Sequence, residues 1–293
     1  MKPGRSTFHE LNGLRHHVRT WGAPDAPPLF LLHGWMDVSA SFQFVVDELQ
    51  RDWHVIAPDW RGCGLSAWAS AGYWFPDYYA DLDALLAIYT PQQPAPLVGH
   101  SMGGVIACTY AGLRPARVTR VISLEGFGLA RTTAADALPR YRRWLDELGE
   151  EAGEKQRFRI YDSFDALAAR LARDNPRLTA ERAQFIARAW AHETAPGQIE
   201  MLSDPRHKRA NPVLFRLDEL IACWREVTAP VLWVFARDSA GAGYLKDTPE
   251  QLAERKNAFR DYRELWIADA GHMMHHDQPA AVARLIEEFL ENY

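Results

Sequence analysis

One strand-to-helix junction constrains this chain more than any other stretch. Ala95 to Val98 is an apolar run, Gly99-His100-Ser101-Met102-Gly103-Gly104 follows, and Val105 to Ala111 then reads as a helix. Such a junction turns sharply, strains the serine backbone and lifts its hydroxyl clear of the sheet. Gly99 and Gly103 leave room for the strand and helix backbones to approach each other. An ordinary glycine-rich connection can also carry a serine, so the junction speaks for chemistry only if the chain supplies it with partners. A serine nucleophile needs a base, an acid to orient the base, and donors for an oxyanion.

The flanking sequence predicts a sheet with parallel strands. Residues 5–10 and 14–20 alternate around Asn12-Gly13, a hairpin signal. Leu29 to Leu32, Trp53 to Ala57 and Val118 to Leu124 are short continuous apolar runs, as expected of strands buried on both faces. Helical patterns cover about Ser41 to Gln50 and Tyr78 to Tyr89. From Phe127 to Glu226 only helical periodicity is found, broken at Gly149, at Asp174-Asn175-Pro176 and around Pro205 and Pro212. That segment carries 17 basic and 16 acidic residues, a balance suited to amphipathic helices with solvated faces. Strand and helix alternation resumes with Pro230 to Phe235, a helix over about Pro249 to Phe259, a strand from Arg263 to Ile267 and a last helix over about Pro279 to Asn292. The expected organisation is an α/β core from 1–126 and 227–293 with a helical cap, 127–226, inserted between two of its strands.

In an open α/β sheet, ligand chemistry gathers beyond the carboxyl ends of the strands. Four polar groups fall there: His33-Gly34-Trp35, Ser101, Glu125 and His272. Most of the 11 histidines have an ordinary reading in the hairpin, the elbow turn or the basic segment around His207. His272 differs, because Ala270-Gly271-His272 lies between the last strand and the last helix, which makes it the predicted base. His33 reads as a hydrogen-bonded turn residue. Two carboxylates compete to orient His272. Glu125 ends a buried strand, where a carboxylate is costly without a partner. Asp238 lies in Ala236-Arg237-Asp238-Ser239, where an aspartate also serves simply to start a turn. The backbone N–H groups of Met102, after the serine, and Trp35, in the early loop, are the expected oxyanion donors. Met36, Trp60, Trp144, Trp190 and Trp224 are candidate pocket residues, each with core packing as its ordinary alternative.

These motifs resemble the α/β-hydrolase superfamily, on both sides of the cap. The marks are His33-Gly34-Trp35, Asp59-Trp60-Arg61-Gly62-Cys63-Gly64-Leu65-Ser66, Gly99 to Gly104 and Ala270-Gly271-His272. Leu124-Glu125-Gly126 and the stretch from Ser203-Asp204-Pro205-Arg206 to Arg216-Leu217 are similar to the serine hydrolase-like group within it. The resemblance implies a mostly parallel eight-stranded sheet with flanking helices, and a serine hydrolase that cleaves a carboxylic ester or related acyl substrate through an acyl-enzyme. Many superfamily members carry their acid as an aspartate at the place Ser239 occupies here. Others, among them a branch of the haloalkane dehalogenases, take it from the place of Glu125, which favours Glu125 over Asp238. Haloalkane dehalogenases and epoxide hydrolases attack with an aspartate at the elbow, where this chain has Ser101. Two other activities remain as alternatives: a cofactor-free dioxygenase of the same fold, and a non-catalytic ligand-binding module.

Composition narrows the class of partner. A net charge of −5 without a long basic run speaks against nucleic acid as the main partner, and the resemblance implies a small-molecule substrate. The first residues, Met1-Lys2-Pro3-Gly4-Arg5-Ser6, are too polar for a signal peptide, and no apolar run reaches membrane-spanning length. Three widely spaced cysteines, Cys63, Cys108 and Cys223, form no C-x-x-C pair and read as reduced thiols of a cytoplasmic protein. No metal and no cofactor are expected, and nothing in the sequence addresses the oligomeric state.

Overall fold

A computed structural model describes residues 1–149, 157–239 and 245–291. Strands β1 (Arg5–Leu11) and β2 (Leu14–Trp21) form the hairpin, turned at Asn12 and Gly13 with φ of 50° and 79°. The sheet continues with β3 (Pro28–Leu32), β4 (His54–Pro58), β5 (Ala95–His100) and β6 (Val118–Leu124). It is completed by β9 (Val231–Ala236) and β10 (Tyr262–Ile267), after a two-stranded hairpin of β7 (Ala191–Ala195) and β8 (Gln198–Met201) that stands apart. Strand order in the eight-stranded sheet is β1-β2-β4-β3-β5-β6-β9-β10. The β1–β2 and β2–β4 pairs are antiparallel and all others parallel.

The inner strands β3, β4, β5 and β9 are buried on both faces, which explains their continuous apolar runs. Along β9, Val231, Trp233 and Phe235 enter one core and Leu232, Val234 and Ala236 the other. The first core is covered by α2 (Phe75–Tyr89), α3 (Met102–Leu113), α7 (Leu217–Arg225) and α8 (Pro249–Lys256). The second lies under α1 (Gln43–Glu48), α9 (Met274–Asp277) and α10 (Pro279–Glu291). The expected end of that last helix at Asn292 lies outside the described residues.

The chain leaves the sheet at Leu124 and returns at Val231, directly beside the strand it left, with Val121 paired to Val231. Between them lie α4 (Ala137–Gly149), α5 (Phe164–Asp174) and α6 (Ala180–Trp190), the β7–β8 hairpin, and α7. The hairpin corrects the expectation of helix alone: only Ala191 and Ile199 of its strands are buried, so no alternation marks it. It shares a small core of its own with α5 and α6, built on Leu167, Ala187 and Ile199. Helix α7, at the end of the stretch expected to form the cap, lies on α3 and puts Leu217, Ile221 and Trp224 into the sheet core.

Candidate active site

The site is built where β5 meets α3. Ser101 adopts φ 51° and ψ −116°, a strained conformation for a residue with a side chain. Its N–H donates to Leu124 O at 2.8 Å, locking the elbow to the end of β6. A Cβ on Gly103 would stand 2.1 Å from Leu32 O, and one on Gly99 would stand 2.2 Å from Gly103 backbone, so neither position has room for a side chain. The closeness of strand and helix is what turns the chain sharply enough to present Oγ.

His272 comes to the serine from the loop after β10. Its Nε2 lies 3.1 Å from Ser101 Oγ, and its Nδ1 lies 3.5 Å from Glu125 Oε2. Glu125 is 1% exposed and, like Ser101, has a left-handed backbone, φ 54°. Its Oε1 accepts the Ala236 N–H at 2.8 Å and its Oε2 the Ser239 hydroxyl at 2.6 Å. Asp238, the other candidate acid, is turned into a surface ion pair with Arg177 at 2.7 Å. The carboxylate that faces Nδ1 is that of Glu125.

Of the predicted oxyanion donors, Met102 directly follows the serine and Trp35 lies in the loop after β3. Met102 is the first residue of α3, so its N–H has no acceptor within the helix. Trp35 and Met102 both line the same cavity as Ser101 and His272. His33 is held as a neutral turn residue: its Nε2 accepts the Trp60 N–H at 2.9 Å, so Nδ1 carries the proton and donates to Gly34 O at 2.7 Å. Burial pushes its pKa below the ordinary histidine value. His100 is buried beneath the site and donates from Nε2 to the His272 carbonyl at 2.8 Å, pinning the loop that carries the base.

That cavity has a volume of about 570 Å³ and a largely aromatic and aliphatic wall. Of the five candidate pocket residues, Trp144 of α4 lines it, beside Leu148. The other four do not. Trp60 is fully buried and donates its indole N–H to His33 O. Trp224 is fully buried against Phe259 and donates to Thr109. Trp190 donates to Asp37 Oδ1 at 2.8 Å, and Met36 occupies a left-handed turn position, φ 55°. An indole whose N–H finds a partner in the interior loses little by being enclosed, which makes it core rather than wall. Sequence reasoning missed Tyr73, Trp74, Phe75, Tyr78 and Leu129 in the wall. They come from loops and a helix start with no common pattern. It also gave no role to His207, whose ring stacks on Tyr73 at 3.7 Å and whose pKa burial depresses to about 4.

Among the described residues, Asp37, His275 and His276 form a buried group whose ligand-type atoms lie within 4.8 Å of one another and could hold a cation. Asp37 Oδ1 is already engaged by Val38 N–H, Trp190 and Ser41, and Oδ2 lies 3.5 Å from His275 Nε2.

Fold and site together define a class in which a strained serine, a histidine and a buried carboxylate converge above a mostly parallel sheet. The family model for the alpha/beta hydrolase fold matches residues 27–279, and the chain belongs to that family. Relatives include a serine hydrolase-like protein of Danio rerio, 27% identical over 279 residues that cover 93% of this chain and 84% of the relative. Serine hydrolase-like protein 2 of Homo sapiens is 24% identical over 289 residues, 94% of this chain and 90% of the relative. Among solved structures, the thioesterase domain from the curacin biosynthetic pathway superposes with a TM-score of 0.83 at 24% identity, covering 97% of this chain and 99% of that one. That last likeness speaks for the fold alone.

Proposed function

We propose that this protein is a serine hydrolase of carboxylic esters or related acyl compounds, working through an acyl-enzyme. The reading is carried by His272, which stands 3.1 Å from Ser101 Oγ and 3.5 Å from Glu125 Oε2, with Ser101 and His272 in the wall of an apolar cavity. His272 Nε2 takes the hydroxyl proton as Ser101 Oγ bonds to the carbonyl carbon, and the carbonyl π pair moves to oxygen. Trp35 and Met102 N–H groups receive that oxyanion. Its collapse expels the alcohol or thiol, which leaves with the proton from His272. Water then repeats the sequence: His272 takes its proton, the carboxylic acid departs, and Ser101 regains its hydrogen. Glu125 keeps the imidazole in the Nδ1–H form and balances its charge when Nε2 is protonated.

In this reading 1–126 and 227–293 are the core and 127–226 is the cap, with α7 anchoring the cap onto α3. The aromatic wall favours an uncharged acyl group, aromatic or of medium chain length. No helix among the described residues is long and apolar enough to cross a membrane. The three cysteines, none in a disulfide, support action in the reducing cytoplasm. A fluorophosphonate probe tests the mechanism: it should label the protein at Ser101, and Ser101→Ala should abolish both labelling and aryl-ester turnover. An alanine variant with near-normal turnover would rule the acyl-enzyme out.

A further inference from the structure

The carboxylate of Glu125 is held by more than the base it faces. Oε1 accepts the Ala236 N–H at 2.8 Å, while Oε2, the oxygen facing His272 Nδ1, also accepts the Ser239 hydroxyl at 2.6 Å. Ser239 belongs to the turn that follows β9, and its N–H donates to Ala236 O. The preceding Asp238 N–H donates to Ala270 O, two residues before His272 in the chain. The turn is therefore tied to β9 on one side and to the loop of the base on the other.

A glutamate reaches its partner on a stem with three rotatable bonds, so an imidazole alone orients it poorly. Two donors, one on each oxygen, restrict the carboxylate to a single plane and aim one oxygen at Nδ1. We propose that Ser239 is a positioning residue that fixes Glu125 Oε2 in line with His272. The inference rests on the reading of Glu125 as the acid. Its rival is simple contact with substrate, because Ser239 also lines the cavity. The two differ in what they predict: a cavity-wall residue acts on substrate whatever stands at 125, whereas a positioning residue acts only through the carboxylate.

The test is a double-mutant cycle on the full chain, with turnover of a soluble aryl ester as the readout and variants Ser239→Ala, Ser239→Thr, Glu125→Gln and the Ser239→Ala/Glu125→Gln pair. Loss of one hydrogen bond to a charged group should lower kcat about tenfold in Ser239→Ala with KM changed less than about twofold. Ser239→Thr, which keeps the hydroxyl, should recover most of kcat. In the Glu125→Gln background the alanine change should cost nothing further. Ser239→Cys, close in size and a weak donor, replaces the alanine variant if that protein does not accumulate. Equal losses in both backgrounds, or a loss confined to KM, would overturn the positioning role while leaving the Ser101 mechanism intact. Wild-type kcat in Glu125→Gln would overturn the acid assignment and the role of Ser239 with it.

Discussion

Burial decides between the two carboxylates at the level of single residues. Glu125 is enclosed at the end of β6 and spends both oxygens on Ala236, Ser239 and His272, whereas the Asp238 side chain is 44% exposed and paired with Arg177. An exposed ion pair contributes little, because solvent screens it and two long side chains must be held still. Asp238→Asn should therefore leave kcat/KM within about twofold of wild type, while Glu125→Gln should lower kcat by about 10³-fold or more. Steady-state kinetics on one aryl ester decide the ranking, and the reverse order would return the acid to Asp238. Ser101 and His272 could be read from local pattern, since each sits in a short motif beside a strand. The contribution of Ser239 could not, because it depends on β6 and β9 being neighbours in the sheet.

The elements add constraints that no side chain imposes alone. The elbow works because β5 and α3 nearly touch, so Gly103→Ala must push the helix away from Leu32 O, where an added Cβ would come to 2.1 Å. We expect a loss of about 3 kcal/mol or more in urea unfolding, with fluorophosphonate labelling slowed in the protein that remains folded. Two tryptophans should separate wall from core. Trp224 of α7 is fully buried against Thr109 of α3, Trp233 of β9 and Phe259, so Trp224→Ala should cost about 3–5 kcal/mol with little change in KM. Trp144 is half-buried on α4 at the cavity, so Trp144→Ala should raise KM for apolar esters severalfold and cost about 1 kcal/mol or less. Equal effects of the two on KM would contradict this division. From sequence both are tryptophans on amphipathic helices, and the pattern cannot say that one face meets a sheet while the other meets a cavity. The β7–β8 hairpin was illegible for a related reason: a ribbon packed by two residues leaves no period to detect.

For the whole molecule, the buried imidazoles set the response to acid. His100, His275 and His276 are all enclosed, and burial, joined by neighbouring imidazoles, lowers their pKa values, that of His275 to about 3. As pH falls below about 6.5 the unfolded chain takes up protons that the folded one refuses, so stability declines by about 1 kcal/mol per histidine per pH unit. Burial alone would raise the Asp59 carboxyl, but the hydrogen bond and charge of His17 outweigh it and hold the group at about 2. Its stabilising effect is complete above about pH 4 and is lost between about pH 4 and 2. Thermal midpoints measured by circular dichroism should thus fall between pH 7 and 5, before the carboxylates titrate, and fall further below 4. A flat profile from 7 to 5 would show that the histidine cluster opens to water.

By itself, the sequence determined the sheet strands and the sharp serine turn, because periodicity and glycine placement are local and survive without a third dimension, and the resemblance of its motifs pointed to the fold family. The tertiary structure decided which carboxylate meets His272, which aromatic rings face the cavity, and where α7 packs. Those outcomes depend on contacts between segments far apart in the chain, and no local pattern records which distant partner removes a given side chain from water.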